Sequence, residues 1–230
     1  MINVLFHLSH RMIYYLVWSP HSLASIRIVD DHTQANRPNP VYGALWAPHS
    51  PTLVLSVSSD GCARVIDTAA PNSVMMNMEH PAGQEVLCGD WDKYDPNLVV
   101  TGCAGKAIFA WDIRNPSQPM STLLGHGYAV RRLQCSPHRC RVLASASYDM
   151  TVRLWDLNAA ATIVDGAGEG LGIGRGSRDG VKHGLAGGGS VFGIFSDHTE
   201  FVCGLSFSLF SPRLLASCSW DRRVCLWRHP

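Results

Sequence analysis

Three side-chain types with the makings of nucleophilic chemistry recur together along this chain. His126, Ser145 and Asp149 form one set, and His198, Ser217 and Asp221 form another. A serine beside a histidine that a carboxylate orients is the arrangement that activates a hydroxyl for acyl transfer. A second reading competes with it. Each set ends in a tryptophan, Trp155 or Trp227, with the Ser four residues before the Asp and the Asp six before the Trp. A catalytic triad is not normally copied once per repeat. A buried network in which histidine, hydroxyl, carboxylate and indole N–H satisfy one another is copied wherever its fold unit is copied. The spacing therefore favours two structural tetrads, His126–Ser145–Asp149–Trp155 and His198–Ser217–Asp221–Trp227, over catalysis.

The elements that must position these groups are short strands. Residues 142–147 and 151–155 alternate apolar with small or polar residues around the break Tyr148–Asp149–Met150. Gly125–His126 lies upstream, so one unit runs from Gly-His to Trp-Asp, the signature of a four-stranded propeller blade. Its phase repeats at Trp111 and Ile66, with Gly105 and Asp60 at the turn position and Thr101 and Ser56 at the hydroxyl position. The fold expected is all-β, a WD-repeat β-propeller represented by about four and a half blades. The blades fall at residues 12–29 (half a blade), 41–78, 85–124, 129–195 and 201–227, the last without its fourth strand. An open arc with two unpaired edges is expected, prone to aggregation. Ile66 and Gly105 depart from the tetrad, so their two blades are expected to be less rigid.

Within the fourth blade, residues 158–189 are an insertion, with eleven glycines between Gly166 and Gly189. Such a segment buries too little apolar surface to offset its ordering entropy, and disorder is expected. No phosphate-cradling glycine frame fits it.

Composition narrows the function classes. Nineteen basic residues against eighteen acidic give no net attraction for nucleic acid or an anionic membrane. Seven of the eight cysteines fall in or beside expected strands, and no C-x-x-C pair suggests zinc, so no metal or cofactor is expected and a reducing intracellular setting fits. The apolar stretch at residues 1–17 is broken by His7, His10 and Arg11, too polar for a span and a poor signal peptide.

Function in such a scaffold resides in exposed groups on its rim. The residues beside the turns (Tyr148, Trp220) and those entering the first strands (Glu85, Tyr128, Glu200, Phe201) share one face, the candidate peptide-binding surface. Four stretches stand out, Leu124-Gly-His-Gly-Tyr-Ala-Val-Arg-Arg132, Val142-Leu-Ala-Ser-Ala-Ser-Tyr-Asp-Met-Thr-Val-Arg153, His198-Thr-Glu-Phe-Val-Cys-Gly-Leu205 and Cys218-Ser-Trp-Asp221, the last two more particular than a generic repeat. They resemble the WD-repeat peroxisomal import receptors for the type 2 targeting signal. That resemblance covers roughly Trp18 to Trp227 outside the insertion, and implies the C-terminal four to five blades of a seven-bladed propeller. It further implies cargo enzymes bearing an N-terminal signal helix with an Arg-Leu and a later His-Leu pair, a peroxisomal co-receptor, and cycling between cytoplasm and the matrix of the peroxisome or a related organelle. Neither nucleic acid nor direct membrane insertion is implied. The alternative is a generic WD-repeat scaffold in another multiprotein complex.

Overall fold

The computed structural model describes residues 3–9, 12–18, 25–29, 32–34, 37–70, 74–158 and 189–229. The glycine-rich insertion lies outside them apart from its ends, Asn158 and Gly189.

Antiparallel strands follow one another in chain order. The first sheet holds β1 (Asn3–Ser9), β2 (Met12–Trp18) and β3 (Ser25–Val29). A small hairpin, β4 (Thr33–Gln34) and β5 (Arg37–Pro38), precedes the second sheet of β6 (Val41–Trp46), β7 (Leu53–Ser58), β8 (Cys62–Asp67) and β9 (Val74–Glu79). The third has β10 (Val86–Trp91), β11 (Leu98–Cys103), β12 (Ile108–Asp112) and β13 (Ser121–Leu123). The fourth has β14 (Val130–Cys135), β15 (Val142–Ser147), β16 (Val152–Asp156) and β17 (Ser190–Phe195). The fifth has β18 (Val202–Phe207), β19 (Leu214–Ser219) and β20 (Val224–Arg228).

One element differs from the sequence expectation. The half blade placed at residues 12–29 gains β1, which pairs with β2 from Asn3 opposite Trp18 to Ser9 opposite Met12. Two residues, His10 and Arg11, separate these runs, the length of a tight hairpin connection.

Each core lies between sheets rather than within one. Leu55, Val57, Val65 and Met78 of the second sheet pack with Trp91, Val99, Phe109 and Trp111 of the third. Cys88, Val100 and Ile108 of the third meet Val130, Leu133, Leu143 and Trp155 of the fourth. Ala144, Ala146, Val152 and Leu154 of the fourth meet Val202, Leu205, Phe207 and Trp227 of the fifth. A strand with a neighbour on both sides is buried along its whole length, as β15 is. Strand β19 instead alternates partly and fully buried residues, and on β20 Val224 and Leu226 are 72% and 68% exposed where their counterparts Val152 and Leu154 are fully buried. Period-two burial marks a sheet covered on one face only.

Polar bonds cross the same seams, and each seam has its own. Trp91 Nε1 donates to the Leu45 carbonyl at 3.1 Å. Asp90 accepts from the Cys135 N–H at 2.8 Å, and Asp92 from the Arg141 N–H at 2.9 Å. Gln134 Oε1 accepts from the Phe207 N–H at 2.6 Å, while His138 Nε2 donates to the Ser208 carbonyl at 2.6 Å.

Two backbone features repeat. The first strand of each later sheet carries a bulge between Val41 and Gly43, Val86 and Cys88, Val130 and Arg132, and Val202 and Gly204. In the turn between second and third strands, Gly61, Lys106, Met150 and Arg222 take left-handed φ values of 80°, 75°, 67° and 67°. Glycine adopts that conformation without strain, so only the second sheet uses the residue best suited to it.

Candidate recognition surface

The repeated Ser, His and Asp come together as hydrogen-bonded networks. Trp155 Nε1 donates to Ser145 Oγ at 2.7 Å, Ser145 lies 2.6 Å from His126 Nε2, and His126 Nδ1 lies 2.7 Å from Asp149 Oδ2. Trp227, Ser217, His198 and Asp221 repeat this at 2.7, 2.8 and 2.7 Å. The geometry fixes the proton direction: indole N–H to hydroxyl, hydroxyl to Nε2, Nδ1–H to carboxylate. That is the polarity of a hydrolytic triad, but Ser145 is 0% and Ser217 2% exposed, and the indole occupies the hydroxyl's free side. A nucleophile must reach its substrate, and these cannot.

Electrostatics agree with a sealed network. Burial pushes the His126 imidazole below its ordinary range, against the nearby Asp149, so it is neutral at pH 7. Burial alone would raise the Asp149 carboxyl, yet hydrogen bonds from His126, Thr151 and Gly127 hold it well below the usual carboxylate range.

The two degenerate blades solve the same problem differently. In the second sheet His32 still bridges Asp60 and Ser56 at 2.8 Å each, and Arg64 bonds both Asp60, at 2.6 Å, and His32. Asp60 sits at about 2 because these partners outweigh its burial. In the third, His80 reaches Thr101 at 2.7 Å and Trp111 donates to Thr101 at 2.8 Å, but Gly105 supplies no carboxylate. His80 Nδ1 has no hydrogen-bond partner among the described residues, and burial drives the imidazole down to about 4. The vacated space is filled: a Cβ at Gly105 would overlap the Gln84 side-chain amide.

The tetrads pin the turns and loop entries that carry the rim. Tyr148, Phe201 and Trp220 form one aromatic cluster, with ring centroids 4.7 Å apart for Tyr148–Phe201, 5.3 Å for Phe201–Trp220 and 6.4 Å for Tyr148–Trp220. It bridges the fourth and fifth sheets, and Trp220 remains 63% exposed. Glu200 is exposed beside it; its main-chain carbonyl accepts from Ser219 Oγ at 2.8 Å, and its carboxylate has no partner among the described residues. Tyr128 is 62% exposed, with Lys106 Nζ 5.8 Å from its ring centroid. Glu85 accepts from the Tyr42 hydroxyl at 3.2 Å. The six rim residues thus occupy three inter-sheet stations, and ring contacts join Tyr148, Phe201 and Trp220. Tyr42 and Lys106 were not legible as rim residues. Tyr42 is the bulged residue of β6, and a bulge re-aims a side chain without leaving a mark in the strand pattern.

The sheets, their inter-sheet cores and the repeated tetrads define a WD-repeat protein, and the family model "WD domain, G-beta repeat" matches residues 117–156 and 189–228. Within that class its sequence is similar to those of proteins named peroxisomal targeting signal 2 receptor. It is 36% identical to the receptor of that name from Saccharomyces cerevisiae over 82% of this chain and 52% of that protein. Against the one from Komagataella phaffii it is 32% identical over 81% and 49%. Against that of Mus musculus it is 38% identical over 50% and 27%. The chain therefore spans about half the length of the yeast relatives. Receptor names and a scaffold-type fold agree with a binding protein rather than an enzyme.

Proposed function

We propose that this chain serves in reading the type 2 peroxisomal targeting signal, with the cluster Tyr148–Phe201–Trp220 as the apolar platform for the signal helix. The observation that carries this is Trp220, a large aromatic held against two other rings yet 63% open to solvent. Exposed aromatics held rigid by neighbours are the side chains that dominate recognition surfaces. An amphipathic helix lays its apolar face on such a platform and aims its polar groups at the rim. Glu200, with a free carboxylate, takes the signal's arginine; Glu85 and Tyr128 lie further round the rim. Arg–carboxylate contacts are directional and charge-assisted. Delivery of the cargo to the peroxisome with a co-receptor, and return to the cytoplasm, complete the proposal.

The test is fluorescence anisotropy with a labelled type 2 signal peptide, beside thermal melting of the same samples. Trp220→Ala and Glu200→Lys are each expected to weaken binding at least tenfold, the loss of about 1.4 kcal/mol, at unchanged melting temperature. Unchanged affinity in both variants removes these residues from the site.

A further inference from the structure

The end of the fourth and fifth sheets farthest from Trp220 carries a surface of another kind. The loop at 208–213 joins β18 to β19 there, and at its tip Phe210 is 98% and Leu209 69% exposed. The tip is built rather than loose: Ser208 Oγ accepts from the N–H groups of Phe210 at 3.3 Å and Ser211 at 3.0 Å. His138 Nε2, bonded to the Ser208 carbonyl, ties the neighbouring loop at 136–141 to it.

Exposed arginines surround the tip. Arg139 lies on the tied loop, with its guanidinium 5.7 Å from the Phe192 ring centroid. Arg213 closes the tip loop and its carbonyl accepts from the His229 N–H at 3.0 Å, while Arg228 stands opposite Leu214 in register. None of the three joins an ion pair among the described residues. The two loops, Ser-Pro-His-Arg-Cys-Arg and Ser-Leu-Phe-Ser-Pro-Arg, contain no carboxylate. A net charge of +1 conceals this local excess.

Peptide recognition needs a groove or a free strand edge to hold the partner's backbone. A loop tip with two adjacent apolar side chains, both mostly exposed, offers neither. It suits a soft, extended surface that apolar groups can enter while cations stay at headgroup level. We propose that this end of the molecule docks reversibly on an anionic lipid bilayer, with Leu209 and Phe210 entering the interface and Arg139, Arg213 and Arg228 meeting lipid phosphates. None of the described residues spans the bilayer in this arrangement, and the aromatic platform at the opposite end faces away from it.

The test is co-flotation of the chain with vesicles of phosphatidylcholine alone and of equal parts phosphatidylcholine and phosphatidylserine; flotation separates bound protein from any aggregate, which sinks. The chain is expected to float with the anionic vesicles only, and less as salt is raised. Arg139→Glu and Arg213→Glu are each expected to lower the partition about fivefold or more. Phe210→Ser should abolish most of it while leaving signal-peptide affinity and circular dichroism unchanged. Absence of flotation, or flotation unaffected by Phe210→Ser, overturns the proposal. So does Phe210-dependent binding of a labelled acidic amphipathic peptide without flotation, which would assign the surface to a protein partner.

Discussion

Replacing Asp149 by alanine isolates what one tetrad contributes. The carboxylate accepts from His126 Nδ1 at 2.7 Å, Gly127 N at 2.9 Å, Thr151 N at 3.0 Å and Thr151 Oγ1 at 2.6 Å. These donors differ in what happens next. Gly127 is exposed and Thr151 half-buried, so water replaces the carboxylate there and the loss is about 0.5–1 kcal/mol in all. His126 is 5% exposed, and its N–H, left with only the Thr151 hydroxyl at a long 3.4 Å, costs a further ~1–3 kcal/mol. Asp149→Ala should therefore destabilise by about 1.5–4 kcal/mol. Urea unfolding followed by tryptophan fluorescence reads this as a lower midpoint at constant slope. His126→Phe with Asp149→Ala removes the orphan, so the double variant should be less destabilised than the sum of the single variants by about 1–2 kcal/mol. Strict additivity, or a loss below about 0.5 kcal/mol for Asp149→Ala, would refute the network as the source of stability.

Three further outcomes follow from the same geometry. Gly105→Asp alone should destabilise by about 1–2 kcal/mol because it displaces the Gln84 amide, whereas combined with Gln84→Ala it should recover stability and raise the His80 titration midpoint, followed by NMR, from about 4. The folded state holds His80 below its ordinary 6.5 and Asp60 at about 2, below 3.8. Both depressed values give stability that is complete above the ordinary pKa and lost on acidification, so melting temperature should fall below pH 6.5 through His80, with the depressed His126 contributing, and from 3.8 towards 2 through Asp60; His80→Phe should lessen the upper fall and leave the lower one unchanged. Val224→Ser with Leu226→Ser should change stability by less than about 0.5 kcal/mol and raise the soluble fraction, while Val152→Ser or Leu154→Ser should cost about 3 kcal/mol each.

The tetrads were legible because each sits at a fixed phase from its neighbours, and a buried imidazole, hydroxyl and carboxylate must recur together or leave a polar group unpaired. The same logic located the strands flanking Tyr148–Asp149–Met150, whose alternation is local. What required three dimensions is whatever one sheet does to the next. Gln84 filling the space beside Gly105 follows from the packing of a loop entry on a turn, and no spacing encodes it. The rim residues Tyr148, Phe201 and Trp220 were identified singly, but their meeting in one cluster depends on the angle between two sheets. Strand β1 was missed because His7, His10 and Arg11 weigh against burial in a one-dimensional count.

The bonds across the seams bear on how such a chain assembles. Inside each sheet the pattern is nearly interchangeable, and a repeat array of that kind risks docking a unit against the wrong neighbour. The seams differ in the side chain used but not in the kind of partner. An indole reaches the Leu45 carbonyl, carboxylates reach the Cys135 and Arg141 N–H groups, and an amide reaches the Phe207 N–H, so every one of these side chains takes a main-chain group one sheet away. Asp90 and Gln134 hold equivalent places in their sheets, and leaving either buried without the next sheet's N–H costs about 1–3 kcal/mol. Neighbouring units are thus fastened by bonds that need a correctly docked strand rather than a particular side chain, and chain connectivity sets which unit arrives.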